Sequence, residues 1–334
     1  MITEAPITRV VKPVYRTKLG VMYQGDCADL LRRPPLTRRK GLVNLILTSP
    51  PFPLNRKKKY GNLTGDEYLT WLKGLAPLFR DYLAPDGSIV IELGNAWEPG
   101  QPTMSTLPMR ALLAFQEAAK LHLCEEFICF NTARLPSPAQ WVNVERIRVK
   151  DAFTRVWWLS PSPKPKADNR NVLKPYSESM NHLLKTGKYN AGQRPSEHHI
   201  GEKSFLINNG GAIPPNVLNV LPFSNTRADD PYQKYCRENG VAPHPARMPP
   251  TLADFFIRFL TDERDLVMDP FAGSNTTGSA AEKLARHWIS IEKDATYAKT
   301  SQARVPVVPR SARLSPLSRQ FEGSSVGSAS RSAE

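Results

Sequence analysis

Leu42 to Thr48 is a run of mostly apolar, partly β-branched residues set between Gly41 and the pair Pro50-Pro51. A run this short, bounded by turn residues, predicts a buried strand of a parallel sheet. Upstream, Val21 to Asp26 predicts a strand ending in a Gly-Asp turn, and Cys27 to Leu31 a helix for which Asp26 is an N-cap candidate. Glu67 to Tyr82 places Tyr68, Leu69, Leu72, Leu75 and Phe79 on one stripe, predicting an amphipathic helix stopped by Pro85-Asp86-Gly87. Ser88 to Gly94 predicts the next strand, Leu107 to Leu121 a helix, and Glu125 to Phe130 and Val156 to Leu159 two further strands. Strands alternating with helical patterns predict a doubly wound α/β sheet.

Beyond Ser160 the texture changes. Residues 161–250 are rich in Pro, Asn, Gly and Ser with interspersed Lys and Arg, and show no long apolar period. A stretch so long is not a simple loop, and Tyr176, Leu183, Leu184, Tyr189, Phe205 and Phe223 favour an irregular inserted lobe. Regular pattern returns at Pro250, where Leu252, Phe255, Phe256, Phe259 and Leu260 share one helical face. Asp265 to Asp269 then predicts a strand, Pro270 to Asn275 a turn, Thr276 to Arg286 a helix and His287 to Glu292 another strand. From Arg304 the chain is Ser-, Pro- and Arg-rich, a composition that predicts disorder. The predicted division is an N-terminal segment (1–20), one half of an α/β domain (21–160), an inserted lobe (161–243), the other half (244–303) and a tail (304–334).

Composition narrows the partners. The 334 residues carry a formal charge of +14. That favours a polyanion, nucleic acid first and an acidic membrane surface second. No apolar run approaches a membrane span, and Met1 to Val14 lacks the apolar core of a signal peptide. Cys27, Cys124, Cys129 and Cys236 have neither paired spacing nor secretory context, which reads as reduced thiols in a cytoplasmic protein. Cys236 and His244 lack two further ligands of suitable spacing for zinc, so no metal site is expected.

Candidate chemistry lies at two strand ends. After the first informative strand, Ser49-Pro50-Pro51-Phe52 forms a rigid extended turn in which neither proline has an amide donor. Ligands of open α/β sheets bind at such carboxyl ends. A planar ring bearing an amino group suits this equipment: Phe52 stacks on it, while Ser49 Oγ and the Pro50 carbonyl accept from its NH2. The following run Arg56, Lys57, Lys58 and Lys59 reads as a solvated loop or as a phosphate contact beside the site. Glu92, a charge inside an apolar strand, requires a partner or a function. The second turn, Pro270 to Asn275, has one close-approach glycine, Gly273, and Glu292 follows about 20 residues on, where a carboxylate meets ribose hydroxyls. Without a G-x-G-x-x-G, a nucleoside lacking a diphosphate fits better than a dinucleotide.

Thr48-Ser49-Pro50-Pro51-Phe52 and Asp269-Pro270-Phe271-Ala272-Gly273-Ser274 resemble motifs IV and I of the amino-methylating DNA methyltransferases, which use S-adenosylmethionine. The Ser-Pro-Pro-Phe form is similar to the N4-cytosine branch. The order, with the catalytic half first, the lobe next and the cofactor half last, is that of the beta group. Gly25-Asp26, Ile147 to Ala152 with Val156 to Trp158, Gly210 to Pro215 and His244 to Pro249 resemble the family as well. The resemblance implies a Rossmann-like methyltransferase sheet, mixed and mostly parallel, with helices on both faces and an inserted lobe that recognises DNA. It implies that Asp269, Phe271, Ala272, Gly273 and Ser274 cradle the cofactor, that Glu292 holds its ribose, that Asp26 meets its adenine amino group, and that His244 to Pro249 pack beside its methionine part. Glu92 matches an acid near the catalytic serine, although it is Glu where Asp is expected.

The implied activity is methylation of the exocyclic N4 of a flipped cytosine in double-stranded DNA. Ser49, Pro50, Pro51, Phe52 and Glu92 form the catalytic set, and Arg56 to Lys59 grip phosphates. By family habit the enzyme is a prokaryotic, cytoplasmic monomer with a restriction endonuclease as its functional partner. C5 methylation is excluded, because it needs a nucleophilic cysteine after a proline and none of the four follows one. The nearest rival is N6-adenine methylation, separated only by Ser49 and Phe52. A glutamine-N5 protein methyltransferase is disfavoured by the positive charge and the lobe, and a catalytically silent DNA-binding protein by Ser49, Gly273 and Glu292.

Overall fold

The computed structural model describes residues 10–52, 63, 65–187, 192–193, 195, 199–200, 205–219 and 230–309. At its centre is a nine-stranded sheet. In chain order the strands are β1 (Tyr15–Arg16), β2 (Gly20–Gln24), β3 (Val43–Thr48), β4 (Leu83–Gly94), β5 (His122–Phe130), β6 (Phe153–Ser160), β7 (Val217–Asn219), β8 (Leu266–Asp269) and β9 (His287–Glu292). Across the sheet they lie in the order β1-β2-β9-β8-β3-β4-β6-β5-β7. β1 and β6 run against the rest, so the sheet is mixed and mostly parallel as expected.

Alternation along each strand decides which layer a side chain joins. Tyr23, Ile46, Ile89, Ile91, Met268, Ile289 and Ile291 face one core. That layer is covered by α1 (Cys27–Leu30), α2 (Gly65–Tyr82) and α3 (Leu107–Ala118). Their neighbours Met22, Leu45, Leu47, Val90, Val267 and Trp288 face the other core. Four further helices follow in the chain: α4 (Glu178–Thr186) and α5 (Pro231–Glu238), then α6 (Pro250–Leu260) and α7 (Thr276–Lys283). The second core is built with α6, α7 and α8 (Ala295–Thr300). Strands apolar on both faces belong in a sheet with helices on both sides.

The expected stop at Pro85-Asp86-Gly87 takes another form. α2 ends at Tyr82 and the extended chain begins at once: Val43 pairs with Leu83 but Leu45 pairs with Ser88, so Ala84 to Gly87 bulge out of the ladder. A Cβ on Gly87 would sit 2.7 Å from the Val43 carbonyl oxygen, so the bulge closes only over a glycine. Pieces of the expected lobe and tail also join the main body. Within 161–243, β7 extends the sheet in parallel with β5. In α5, Tyr232 and Cys236 are buried, and Asp230 at its N-cap pairs at 2.8 Å with Arg304, both side chains deeply buried. At the start of the tail, Val305 packs into the second core and the Val308 amide donates to the Arg16 carbonyl at 3.0 Å.

Candidate active site

β3 and β8 are neighbours at the middle of the sheet. From β3 the chain passes through α2 to β4 on one side, and from β8 through α7 to β9 on the other. The two connections diverge, which opens a crevice at the carboxyl ends of β3 and β8. The two turns singled out in the sequence meet there.

A cavity of about 660 Å³ fills the crevice. Ser49, Pro50, Pro51 and Phe52 line it from β3, Asp269 to Ser274 from β8, and Asp26, Glu292 and Lys293 from the flank. Glu92 is absent from the wall and lies behind it. Arg56, Lys57, Lys58 and Lys59 lie outside the described residues. His244, Tyr68, Trp71 and Thr276 also line the cavity. Tyr68 and Trp71 stand three residues apart on α2, and in the sequence Tyr68 reads as one more residue of the core stripe. Their rings lie 5.5 Å apart, and Trp71 lies 5.6 Å from Phe271.

The glycine turn is held from several sides. Gly273 has φ +51°, a left-handed conformation, and a Cβ there would come within 3.2 Å of the His244 ring. Its amide donates to Glu292 Oε2 at 2.8 Å, while Glu292 Oε1 accepts from the Asp294 amide at 2.7 Å. Burial raises the Glu292 pKa against those two bonds. Asn275 caps α7: its Oδ1 accepts from the Gly278 amide at 3.2 Å and from Ser290 Oγ at 2.7 Å. His244 stacks edge-on to Tyr297 at 4.6 Å, and its amide donates to Tyr232 Oη at 3.0 Å.

Asp269 accepts three hydrogen bonds inside the protein. Thr48 Oγ1 donates to Oδ1 at 2.8 Å, the Phe271 amide to the same oxygen at 3.1 Å, and Thr277 Oγ1 to Oδ2 at 2.7 Å. Burial pushes its pKa up to about 6, with these bonds opposing the shift. Its carboxylate thus ties β3 to β8 and shapes the second turn. Asp26 has two attachments: Oδ1 caps α1 by accepting from the Ala28 amide at 3.0 Å, and Oδ2 faces Lys293 Nζ at 3.2 Å.

Behind the first turn, burial raises the Glu92 pKa, while bonds from Thr154 and Ser49 and the charge of Arg134 favour the ionised form. The Thr154 bond measures 3.0 Å. The glutamate at this position therefore still reaches the serine. Phe52 packs beside Gly94, where an added Cβ would fall 2.5 Å from the ring. Gly94 is the clearance that lets this ring lie along the end of β4.

Residues 43–303 match the DNA methylase family. The chain is 44% identical over 295 residues to the type II methyltransferase M.PvuII of Proteus hauseri, covering 88% of this chain and 85% of that one. It is 24% identical over 283 residues to the type II methyltransferase M.BglII of Bacillus subtilis, covering 84% and 67%. Among solved structures, the PvuII DNA methyltransferase (cytosine-N4-specific) superposes with a TM-score of 0.70 at 37% identity, covering 93% of this chain and 94% of that one. The M1.HpyAVI–SAM complex shares the fold, with a TM-score of 0.51 at 20% identity over 86% of this chain and all of that one. With a family match across most of its length and that degree of identity to M.PvuII, the chain belongs to the DNA methylase family.

Proposed function

We propose that this protein transfers a methyl group from S-adenosylmethionine to N4 of a cytosine flipped out of double-stranded DNA. The observation that carries the reading is the meeting, at one switch point, of a Ser-Pro-Pro-Phe turn with a glycine turn braced by Glu292. The 44% identity to a type II methyltransferase and the likeness to a cytosine-N4-specific structure support the choice of base.

The cavity suits the cofactor. At Gly273, in its wall, an added Cβ would press on the His244 ring. Tyr68 Oη and Thr276 Oγ1 are buried hydroxyls in its wall that have no hydrogen-bond partner among the described residues, groups that a polar ligand would satisfy. Phe271 to Ser274 would hold the cofactor, Glu292 its ribose hydroxyls and Asp26 its adenine, with Asp269 shaping the turn. When bound, the sulfonium supplies an electrophilic methyl group.

The protein's own residues prepare the acceptor. An amino group on cytosine is a poor nucleophile because its lone pair is delocalised into the ring. Ser49 Oγ and the Pro50 carbonyl, accepting from the two N–H bonds, favour the pyramidal nitrogen, and such bonds act most where they strengthen in the transition state. Phe52 offers a face for the extruded base to stack on. The nitrogen must also lose a proton. Ser49 touches Glu92, and burial makes Glu92 a better proton holder than an exposed carboxylate. Holding the base and the methyl donor in line supplies much of the rate.

The reading extends to a monomer in a prokaryotic cytoplasm that protects DNA from a cognate restriction endonuclease. Residues 161–243 would read base edges, and Arg56 to Lys59 would grip phosphates. The test is transfer of labelled methyl groups to unmethylated plasmid DNA, with nucleoside analysis, beside Ser49→Ala. N4-methylcytosine that falls at least about a hundredfold in the variant is expected. N6-methyladenine would reverse the base assignment, and cofactor binding without label in DNA would move the substrate elsewhere.

A further inference from the structure

Among the described residues, exposed large apolar side chains gather on the connection between β5 and β6, residues 131–152. Leu135 is 84% exposed and Val149 86%, and Val144 and Ile147 also stand in solvent. No residue of the wide helical turn Gln140–Val144 is buried. Such a concentration of apolar surface marks a contact site more often than a plain loop. The same stretch carries Arg134, Arg146, Arg148 and Lys150 against Glu145 and Asp151, a balance that suits a polyanion.

The base of this connection is fixed. The Asn131 amide donates to the Ala152 carbonyl at 2.7 Å, and Lys150 Nζ to the Thr132 carbonyl at 2.5 Å. Asp151 accepts from Asn95 Nδ2 at 2.8 Å and faces Arg134 at 3.5 Å. The Arg148 guanidinium lies 3.3 Å above the Trp97 ring and donates to the Pro102 carbonyl at 3.0 Å. These anchors follow β4 directly, next to Glu92, whose carboxylate feels the Arg134 charge, and next to Gly94, beside which Phe52 packs. β5 runs in the direction of β3 and β8, so the connection rises from the same sheet edge as the cavity.

We infer that residues 131–152 form a second DNA-contacting element, separate from the lobe, which packs Leu135 and Val149 against the duplex beside the extruded nucleotide. The inference rests on the DNA-methylation reading. Extruding a base strips stacking from both neighbours, and apolar side chains inserted there replace part of the lost contact. Arg146, exposed and outside those anchors, reaches a flanking phosphate.

The experiment compares the full chain with a Leu135→Ser, Val149→Ser double variant and with Leu113→Ser, a control on α3. Methyl transfer is measured on a duplex of the mapped site, once fully paired and once with the target cytosine mispaired. The double variant is expected to lose about tenfold or more in kcat/KM on paired DNA and to regain most of it on the mispaired substrate, where opening is already easier. Its melting temperature and S-adenosylmethionine affinity are expected to match the wild type, because both side chains are exposed. An unchanged kcat/KM overturns the inference, as does an equal loss in Leu113→Ser. So does a wild-type dimer in sedimentation that the double variant dissociates, because the patch would then serve a second copy of the chain. A wild type without methyl transfer refutes the methylation reading itself, whereas full transfer by the double variant refutes only this inference.

Discussion

Replacing Asp269 by asparagine isolates the electrostatics of the bond that ties the two halves of the site. Burial raises this carboxyl from its ordinary value of 3.8 to about 6. The folded state therefore holds the proton more tightly than the unfolded state. Its contribution to stability is fully present below pH 3.8 and is lost as the pH rises through about 6. Worked through the linkage relation, that loss is about 2 kcal/mol between pH values of about 4.5 and 7.5. Asparagine keeps the shape and the Oδ1 acceptor for Thr48 and Phe271, and its amide can face the Thr277 hydroxyl, which turns to accept. The charge is gone, and with it this pH dependence. Urea unfolding of both proteins at the two pH values gives the result as a difference of differences, in which every other titrating group cancels. The variant should gain about 2 kcal/mol on the wild type as the pH is raised across that interval. A difference that stays constant would refute the assignment of the raised pKa to this side chain.

Three further outcomes follow from the geometry. Gly273→Ala forces a Cβ into a left-handed backbone 3.2 Å from the His244 ring, so stability should fall by about 1–2 kcal/mol and calorimetric cofactor affinity by at least about tenfold. Tyr68→Phe removes a buried hydroxyl that has no partner among the described residues. Its denaturant midpoint should be unchanged or raised by up to about 1 kcal/mol equivalent, and a clear loss would reveal a bond to that oxygen. Asp230→Ala strips Arg304 of its buried partner and α5 of its cap, and urea titration should register a loss of about 3–5 kcal/mol.

The parts legible in the sequence are those governed by local pattern. Ile46 and Leu45, or Met268 and Val267, lie in apolar runs that only a sheet covered on both faces can bury, and α6 shows its face at helical spacing. The two turns were legible because proline and glycine act through backbone geometry at their own positions. Partnerships across the chain carry no such local signal. Glu92 gives no hint of Thr154 or Arg134, and Asp269 none of Thr48. β7 is three residues long within an irregular stretch, too short for any periodicity, and it is a strand only because β5 offers it an edge. Tyr68 followed the same logic in reverse: its helical spacing marked it correctly as buried but said nothing of the cavity it borders.

The bond from Thr48 to Asp269 closes a span of 221 residues. Such a contact is among the last that a growing chain can make, because the loop it closes contains most of the protein. At ordinary rates of synthesis the Ser-Pro-Pro-Phe turn leaves the ribosome roughly 10–40 seconds before the glycine turn exists. During that interval β3 has β4 beside it but an open edge where β8 will lie. Methyl-transfer competence therefore arrives in a single late step, when the last quarter of the chain inserts its strands into the middle of a sheet already half built.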